Sequence, residues 1–328
     1  MSYPFEYVVN QLKKHNVRFD VFCPDKNSAA VILPDYNRIL GAWPDVQMEC
    51  PLWINEKFLE NPNDKSVVWA NPGGHRVWAA PEKEFFISDL NRPFETYKVP
   101  KEMDPGTYDY KMESDYSFSF TGRINLYAYK SAVNVPLNYK RNIKFIKNVK
   151  LEDIWQSKNT AYKCIAYTDE VSLTAVSDFK AGIWSLIQIP WGGEIQLPVN
   201  NDATYEDFFG KSDGLVDIKN NILSIKLDKE LKQDFKIGLK ASSVKDRIFY
   251  TGNKNGKSSL IINVFDTDNK AEYIDSPWQQ NNVQGSAVQF FYGGNWGFAE
   301  LETHAPVRKI DNTYRSISKN TVYIVAKI

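Results

Sequence analysis

At 328 residues, 43% hydrophobic and 14% aromatic, the chain has a globular composition able to fill a sizeable interior, which excludes disorder as its default state. Its 40 basic and 40 acidic side chains cancel, so no long-range field draws in nucleic acid or an anionic membrane, and a neutral or weakly charged ligand fits better. Three scattered cysteines, Cys23, Cys50 and Cys164, form neither a disulfide framework nor a zinc ribbon; with no apolar signal segment in residues 1–15 and no run near the roughly eighteen apolar residues of a membrane span, the cytoplasm is the expected location.

In chain order, Phe5, Val8, Val9 and Leu12 recur at helical spacing within residues 4–15, which predicts one short amphipathic helix packing on a sheet. From there the pattern changes to short β-branched and aromatic runs bounded by turn signals such as Pro24-Asp25, Pro34-Asp35 and Pro72-Gly73-Gly74. Strands are predicted at 29–33, 85–88, 116–121, 123–129, 171–176 and 183–189, and again at 222–227, 247–250, 259–265, 287–291, 299–303 and 322–326. A strand every ten to fifteen residues or so implies antiparallel sheets. No Gly/Ser-rich or Pro-rich linker and no fixed-period repeat interrupts the series, so the expectation is a single domain over 1–328, a large two-layer β-sandwich with residues 1–20 packed on it.

Residues 252–258, Gly-Asn-Lys-Asn-Gly-Lys-Ser, imitate a phosphate-binding loop. Such a loop needs four residues between its glycines and a helix after its lysine. Here three intervene and a predicted strand follows, so the segment reads as a hairpin turn.

Four other stretches carry chemistry. In residues 34–44, Arg38 lies between an early strand and a turn, where it can fork onto hydroxyls or form a surface salt bridge. In residues 71–82, Gly73 and Gly74 permit close backbone approach and are followed by His75, Arg76, Val77 and Trp78. If the chain is extended there, His75 and Val77 share one face and Arg76 and Trp78 the other, so only one pair can line a common cleft. In residues 182–193, Trp184 and Trp191 can stack on a sugar ring or belong to the core. In residues 295–306, alternation puts Glu300, Glu302 and His304 on one face of a strand and Ala299, Leu301 and Thr303 on the other. Two carboxylates and an imidazole then line one surface, either a ligand site or a solvated outer face.

The order of these segments resembles the galactose mutarotase-like superfamily, and within it the uncharacterised bacterial members more than the true aldose 1-epimerases. The resemblance rests on the N-terminal helix, the Asn37-Arg38-Ile39 turn, the Gly-Gly-His-Arg-Val-Trp-Ala-Ala-Pro-Glu block at 73–82, the strand around Trp184 and Glu-Leu-Glu-Thr-His at 300–304. It implies a role for Glu302: aldose 1-epimerases take the proton of the anomeric hydroxyl with a Glu in a Leu-Glu-Thr-Gln segment, and Leu301-Glu302-Thr303 is similar. It also implies that Arg38 contacts sugar oxygens.

Those enzymes draw their general acid, which protonates the ring oxygen, from a central Asn-His-aromatic motif that is absent here. The three histidines are His15, His75 and His304, and His15 falls on the helix as a surface residue, so an imidazole acid has to be His75 or His304. The leading expectation is therefore a sugar-modifying enzyme without metal or organic cofactor. Glu302 is its base, His75 or His304 its acid, and Arg38, Arg76, Trp78, Glu82, Trp184 and Glu300 contact a small sugar. A non-catalytic sugar-binding or sensing protein is the alternative. Two more distant readings are a glycoside-cleaving pair of Glu302 with Glu82 or Glu300, and a metal held by Glu300, Glu302, His304 and His75.

Overall fold

The computed structural model describes residues 3–151, 162–254, 257–281 and 283–327. Two large antiparallel sheets face each other across an apolar interior. The first has nine strands, in the order Asp20–Phe22, Ala29–Leu33, Arg38–Trp43, His75–Ala80, Gly182–Pro190, Phe298–His304, Val288–Gly293, Phe235–Leu239 and Glu206–Asp207. The second runs Val216–Lys219, Ile222–Lys226, Gly193–Pro198, Arg247–Lys254, Lys257–Phe265, Thr313–Lys327, Tyr162–Ala175, Val133–Phe145, Ser117–Ala128 and Asp109–Ser114, with Val307–Ile310 paired to Thr313–Lys327. This is the expected mainly β sandwich. The expected helix spans Phe5–Lys14, buries Val8 and Leu12, and sets Phe5 edge-on to Trp43 of the first sheet, with ring centroids 5.4 Å apart. Among the described residues no helix is long and apolar enough to cross a membrane.

The runs predicted at 29–33, 183–189, 222–227, 259–265 and 299–303 are strands to within two residues. Other predictions needed correction. Residues 116–121 and 123–129 form one continuous strand, Ser117–Ala128. The predicted strand at 85–88 starts instead as the end of a helical turn, Glu82–Phe85: Pro81 caps its start, and Glu82 and Glu84 lie in the first turn, where acidic groups favour a helix. Val133–Phe145 went unpredicted although it alternates strictly, because its inward row of Val135, Leu137, Tyr139, Arg141, Ile143 and Phe145 contains an arginine. Of the hairpin at 252–258, Asn255 and Gly256 lie outside the described residues, while the strands on either side pair antiparallel.

That inward arginine organises the interior. Arg141 is fully buried and forks onto Asp169, with Nε 3.0 Å from Oδ1 and Nη2 2.8 Å from Oδ2, while its Nη1 donates to the Asn37 carbonyl at 2.7 Å. The pair joins neighbouring strands of the second sheet, and its contacts to Asn37 and to His75 carry it across to the first. Substituting Asn for Asp169 strands the guanidinium out of water and should lower the unfolding free energy by about 3–5 kcal/mol. Urea denaturation measures this, and a loss below about 1 kcal/mol would show that the pair contributes no more than a surface ion pair.

Candidate functional site

Strand pairing decides which side chains of the nine-stranded sheet share a face. Glu300 pairs with Gln188, Glu302 with Leu186 and His304 with Trp184, while Arg76 pairs with Leu186 and Trp78 with Trp184. On the other side Glu302 pairs with Gln289 and Glu300 with Phe291, and Lys236 pairs with Phe291. Directly opposed residues of an antiparallel pair point to the same side. Arg76, Trp78, Trp184, Gln188, Lys236, Gln289, Glu300, Glu302 and His304 therefore occupy one face. It is the face away from the second sheet: on the reverse side Ser185 and Thr303 accept hydrogen bonds from Asn320 of the second sheet, both at 3.1 Å.

The same register separates His75 from this group. His75 pairs with Ile187 and points into the sandwich, where Nδ1 lies 3.0 Å from the Tyr167 hydroxyl and Nε2 lies 2.8 Å from Ser185 Oγ and 3.4 Å from Asp169 Oδ2. A nucleophilic triad needs the hydroxyl and the carboxylate on opposite ring nitrogens. Here both face Nε2, and burial followed by the nearby Arg141 and Arg38 holds the ring pKa well below its usual value. Arg38 lies at the Trp78 end of the outer face, joined to it through Asp104 Oδ2, which also accepts the Trp78 indole N–H at 3.0 Å. The Arg38 guanidinium is locked by Asp104 at 2.7 Å, the Gly73 carbonyl at 2.8 Å and Asn71 at 3.2 Å. The structure brings together Arg76, Trp78, Trp184, Glu300, Glu302 and His304 and adds Glu82 from above the sheet; it does not bring His75 or Arg38 to Glu302.

Glu302 is the centre of the group and is 0% exposed. Its Oε2 accepts the Trp184 indole N–H at 2.7 Å and lies 3.2 Å from Lys236 Nζ. The same ammonium lies 3.3 Å from Glu82 Oε2, which accepts the Trp278 indole N–H at 2.9 Å. Lys236 stacks over Trp184, 4.4 Å from the ring centroid, and 5.4 Å from that of Phe208. Gly238 makes this roof possible: a Cβ there would lie 2.7 Å from the Phe208 ring and 2.2 Å from Ser286 Oγ. Alongside, Glu300 accepts Arg76 Nη2 at 2.6 Å and Gln188 Nε2 at 2.9 Å, and Arg76 lies 4.0 Å above the Trp78 ring. Asp275 closes the far side, accepting the Glu82 backbone N–H at 2.6 Å and Gln289 Nε2 at 2.7 Å.

Electrostatics follow from this burial. Burial raises the Glu302 carboxyl, Lys236 opposes the rise, and Glu300 and Glu82 add to it, leaving the group at about 8. Glu82 is raised for the same first reason, only partly offset by Lys236. Lys236 itself is held above its usual value, since Glu302, Glu82 and Asp275 together outweigh its desolvation. One ammonium between two carboxyls neutralises one negative charge, so the second carboxyl keeps a proton. His304, stacked on Trp184 with ring centroids 5.7 Å apart, is lowered well below the usual imidazole value by burial and then by Lys236, and is neutral at pH 7.

Several buried polar atoms on this face have no protein partner: Glu302 Oε1, His304 Nε2, Arg76 Nε and Nη1, Gln188 Oε1 and Gln289 Oε1. Above them sits an aromatic cover. Phe86 packs on Trp184 and on Tyr97, and Phe94, Phe209 and Trp278 meet with centroids 5.0–5.2 Å apart. Phe94 is 57% exposed and forms the outside of this layer. Among the described residues no group of three or more His, Cys, Asp or Glu is arranged to hold a metal ion.

Sequence reasoning missed Lys236, Gln289 and Asp275 as site residues. Lys236 had one legible signal, a lone lysine inside the apolar run Phe-Lys-Ile-Gly-Leu at 235–239.

The chain has a counterpart of similar fold among solved structures. It is similar to the Slr1438 protein of Synechocystis, at 10% identity and a TM-score of 0.50 over 95% of this chain and 96% of that one. It is also similar to a galactose mutarotase-like protein of Lactobacillus casei (10% identity, TM-score 0.45, 94% and 100% covered) and to an aldose epimerase homologue of C. elegans (10%, 0.43, 95% and 99%). At such identities the likeness is one of fold alone. The chain belongs to DUF6786, a family of unknown function whose model matches residues 3–325. No curated protein matches it.

The raised Glu302 carboxyl has a thermodynamic consequence. Its folded pKa of about 8 lies above the ordinary 4.5, so between those values the folded state binds more protons than the unfolded one, and this group's contribution to stability is lost as pH rises through that window. Thermal melts across the window should show Glu302→Gln gaining on the parent protein as pH increases. A difference that stays flat would mean the carboxyl titrates normally in the folded protein.

Proposed function

We propose that the chain binds a small sugar on this face and acts on its anomeric centre in the manner of an aldose 1-epimerase, with Glu302 and His304 as the proton-transferring pair. The observation that carries the reading is the pair itself. Glu302 Oε1 and His304 Nε2 are both buried and unpartnered, on side chains two residues apart on one strand face, a separation of about 6.6 Å along the strand. Interconverting anomers needs one group to take the proton of the anomeric hydroxyl while a second protonates the ring oxygen. Leu301-Glu302-Thr303 supplies the first candidate by its resemblance to the epimerase segment, and His304, on the same strand face, is the imidazole available to the pair although the central histidine motif is missing. Trp184 and Trp78 offer ring faces, and the free N–H groups of Arg76 with the free oxygens of Gln188 and Gln289 offer hydroxyl contacts. Entry requires the Phe94–Phe209–Trp278 cover to part.

Lys236 weighs against glycoside cleavage by Glu302 with Glu82. A cleaving pair needs the scissile bond between its carboxyls, and here the lysine ammonium fills that space. The other reading is non-catalytic sugar binding, in which the fully buried Glu302 holds Trp184 and Lys236 in place and transfers no proton. Exchange spectroscopy by NMR on free and phosphorylated aldoses separates the two. The expected result is accelerated anomer exchange on at least one sugar, reduced about 10²–10⁴-fold in Glu302→Gln. Saturable binding with no acceleration would assign the non-catalytic role instead.

A further inference from the structure

Glu302 is not an isolated carboxyl. Glu82, on the helical turn above the sheet, and Glu302, on the central strand, each use Oε2 for the same two kinds of partner: an indole N–H, from Trp278 and Trp184 respectively, and the one ammonium of Lys236. All three charged groups are buried, so water cannot share the charge among them. Of the remaining groups, Glu300 is held by Arg76 and Gln188 and Asp275 by the Glu82 backbone and Gln289, and each disfavours further negative charge on the neighbouring carboxyl of the pair; Lys83 donates to Ser276 and the Gln280 carbonyl, Tyr97 is an un-ionised phenol, and His304 is neutral. One cation therefore faces two carboxyls that compete for it.

We propose that Lys236 and Glu82 are positioning residues that make Glu302 the proton donor of the pair: Glu82, Lys236 and Glu302 form one unit holding a single proton, Glu302 presents that proton at Oε1, and His304 accepts through Nε2. This rests on the epimerase reading of the same face and reverses the roles that the family resemblance implies. The step balances. As the C1–O5 bond of the sugar breaks, its electron pair takes the proton from Glu302 Oε1; the anomeric O–H gives its proton to His304 Nε2, and the electrons of that bond form the C1=O double bond of the open chain. Glu302 is left as a carboxylate beside Lys236 and the Trp184 N–H, and His304 as an imidazolium, with net charge unchanged. Rotation about the C1–C2 bond and the reverse transfer close the other anomer and restore both groups. The unpartnered Oε1 suits this assignment, because a buried hydroxyl awaiting an acceptor costs less than a buried, uncompensated anionic oxygen.

Two variants give opposite signs. Glu82→Gln removes the competing carboxyl and leaves Lys236 to Glu302 alone, so the Glu302 carboxyl should titrate lower by about one pH unit or more; Lys236→Met removes the cation and should move it higher by a similar amount. Carbon-13 NMR of protein labelled at the glutamate carboxyl reads both shifts without any substrate, with Lys236→Arg as the conservative control that restores the parent value. In a turnover assay the rate should fall as pH rises through the Glu302 pKa, and that falling limb should move with the carboxyl in each variant. Shifts of the same sign in both variants, or a Glu302 signal unmoved by Glu82→Gln, would overturn the shared-proton unit. A rate that rises through the same pH range would overturn the donor role. Absence of turnover on every sugar defeats the epimerase reading, while the carboxyl titration still decides the proton-sharing unit by itself.

Discussion

A carboxyl group fully withdrawn from water must either keep its proton or face a cation, and in this protein Glu302 is placed at the balance point between the two. Desolvating an ion costs several kcal/mol even after the protein relaxes, and the sheet supplies one ammonium for two such groups. The rest of the site is arranged around that shortage. Lys236 reaches Glu302 only because the Phe235–Leu239 strand lies two places along the sheet in register, and Phe208 descends onto the lysine only because residue 238 has no side chain to hold it off. The indole donors of Trp184 and Trp278 fix the two carboxylates by one oxygen each, leaving Glu302 Oε1 as the end that can address a ligand.

Much of this was legible from alternation. Residues 300, 302 and 304 were assigned to one face by period alone, and residues 75–78 were reduced to a choice of two pairs. What the sequence lacked was the sheet: pairing to the Gly182–Pro190 strand puts Arg76 and Trp78 beside Glu302 and turns His75 inward, and no pattern within 71–82 distinguishes those outcomes. Lys236 was hidden for a different reason. A five-residue strand holding a lysine and a glycine looks broken to a reading based on hydrophobic period, because lysine is expected at the surface; only its two carboxylate partners, distant in sequence, make burial tolerable. The turn at 82–85 was lost similarly, since Phe85 and Phe86 suit a buried strand as well as a helix end that docks on Trp184.

Two buried polar networks in the same sandwich show what distinguishes the outer face. Between the sheets, Arg141, Asp169, His75, Ser185, Thr303 and Asn320 are all engaged, and none has a buried polar atom lacking a partner. That is how a polar network behaves when its task is to hold two sheets in register. On the outer face, at comparable burial, Glu302, His304, Arg76, Gln188 and Gln289 each leave at least one polar atom unmatched, at about 1–3 kcal/mol for each group. Apolar side chains of similar size would relieve that cost. The unmatched atoms are also of both kinds, guanidinium donors beside amide and carboxyl oxygens. A phosphate offers only acceptors and an ammonium only donors, whereas a hydroxyl offers one donor and two acceptor positions at a single atom. A surface that mixes both within a few residues, between two tryptophan rings, matches a polyhydroxylated ring better than either ion, and this complementarity is why the proposed ligand is a sugar.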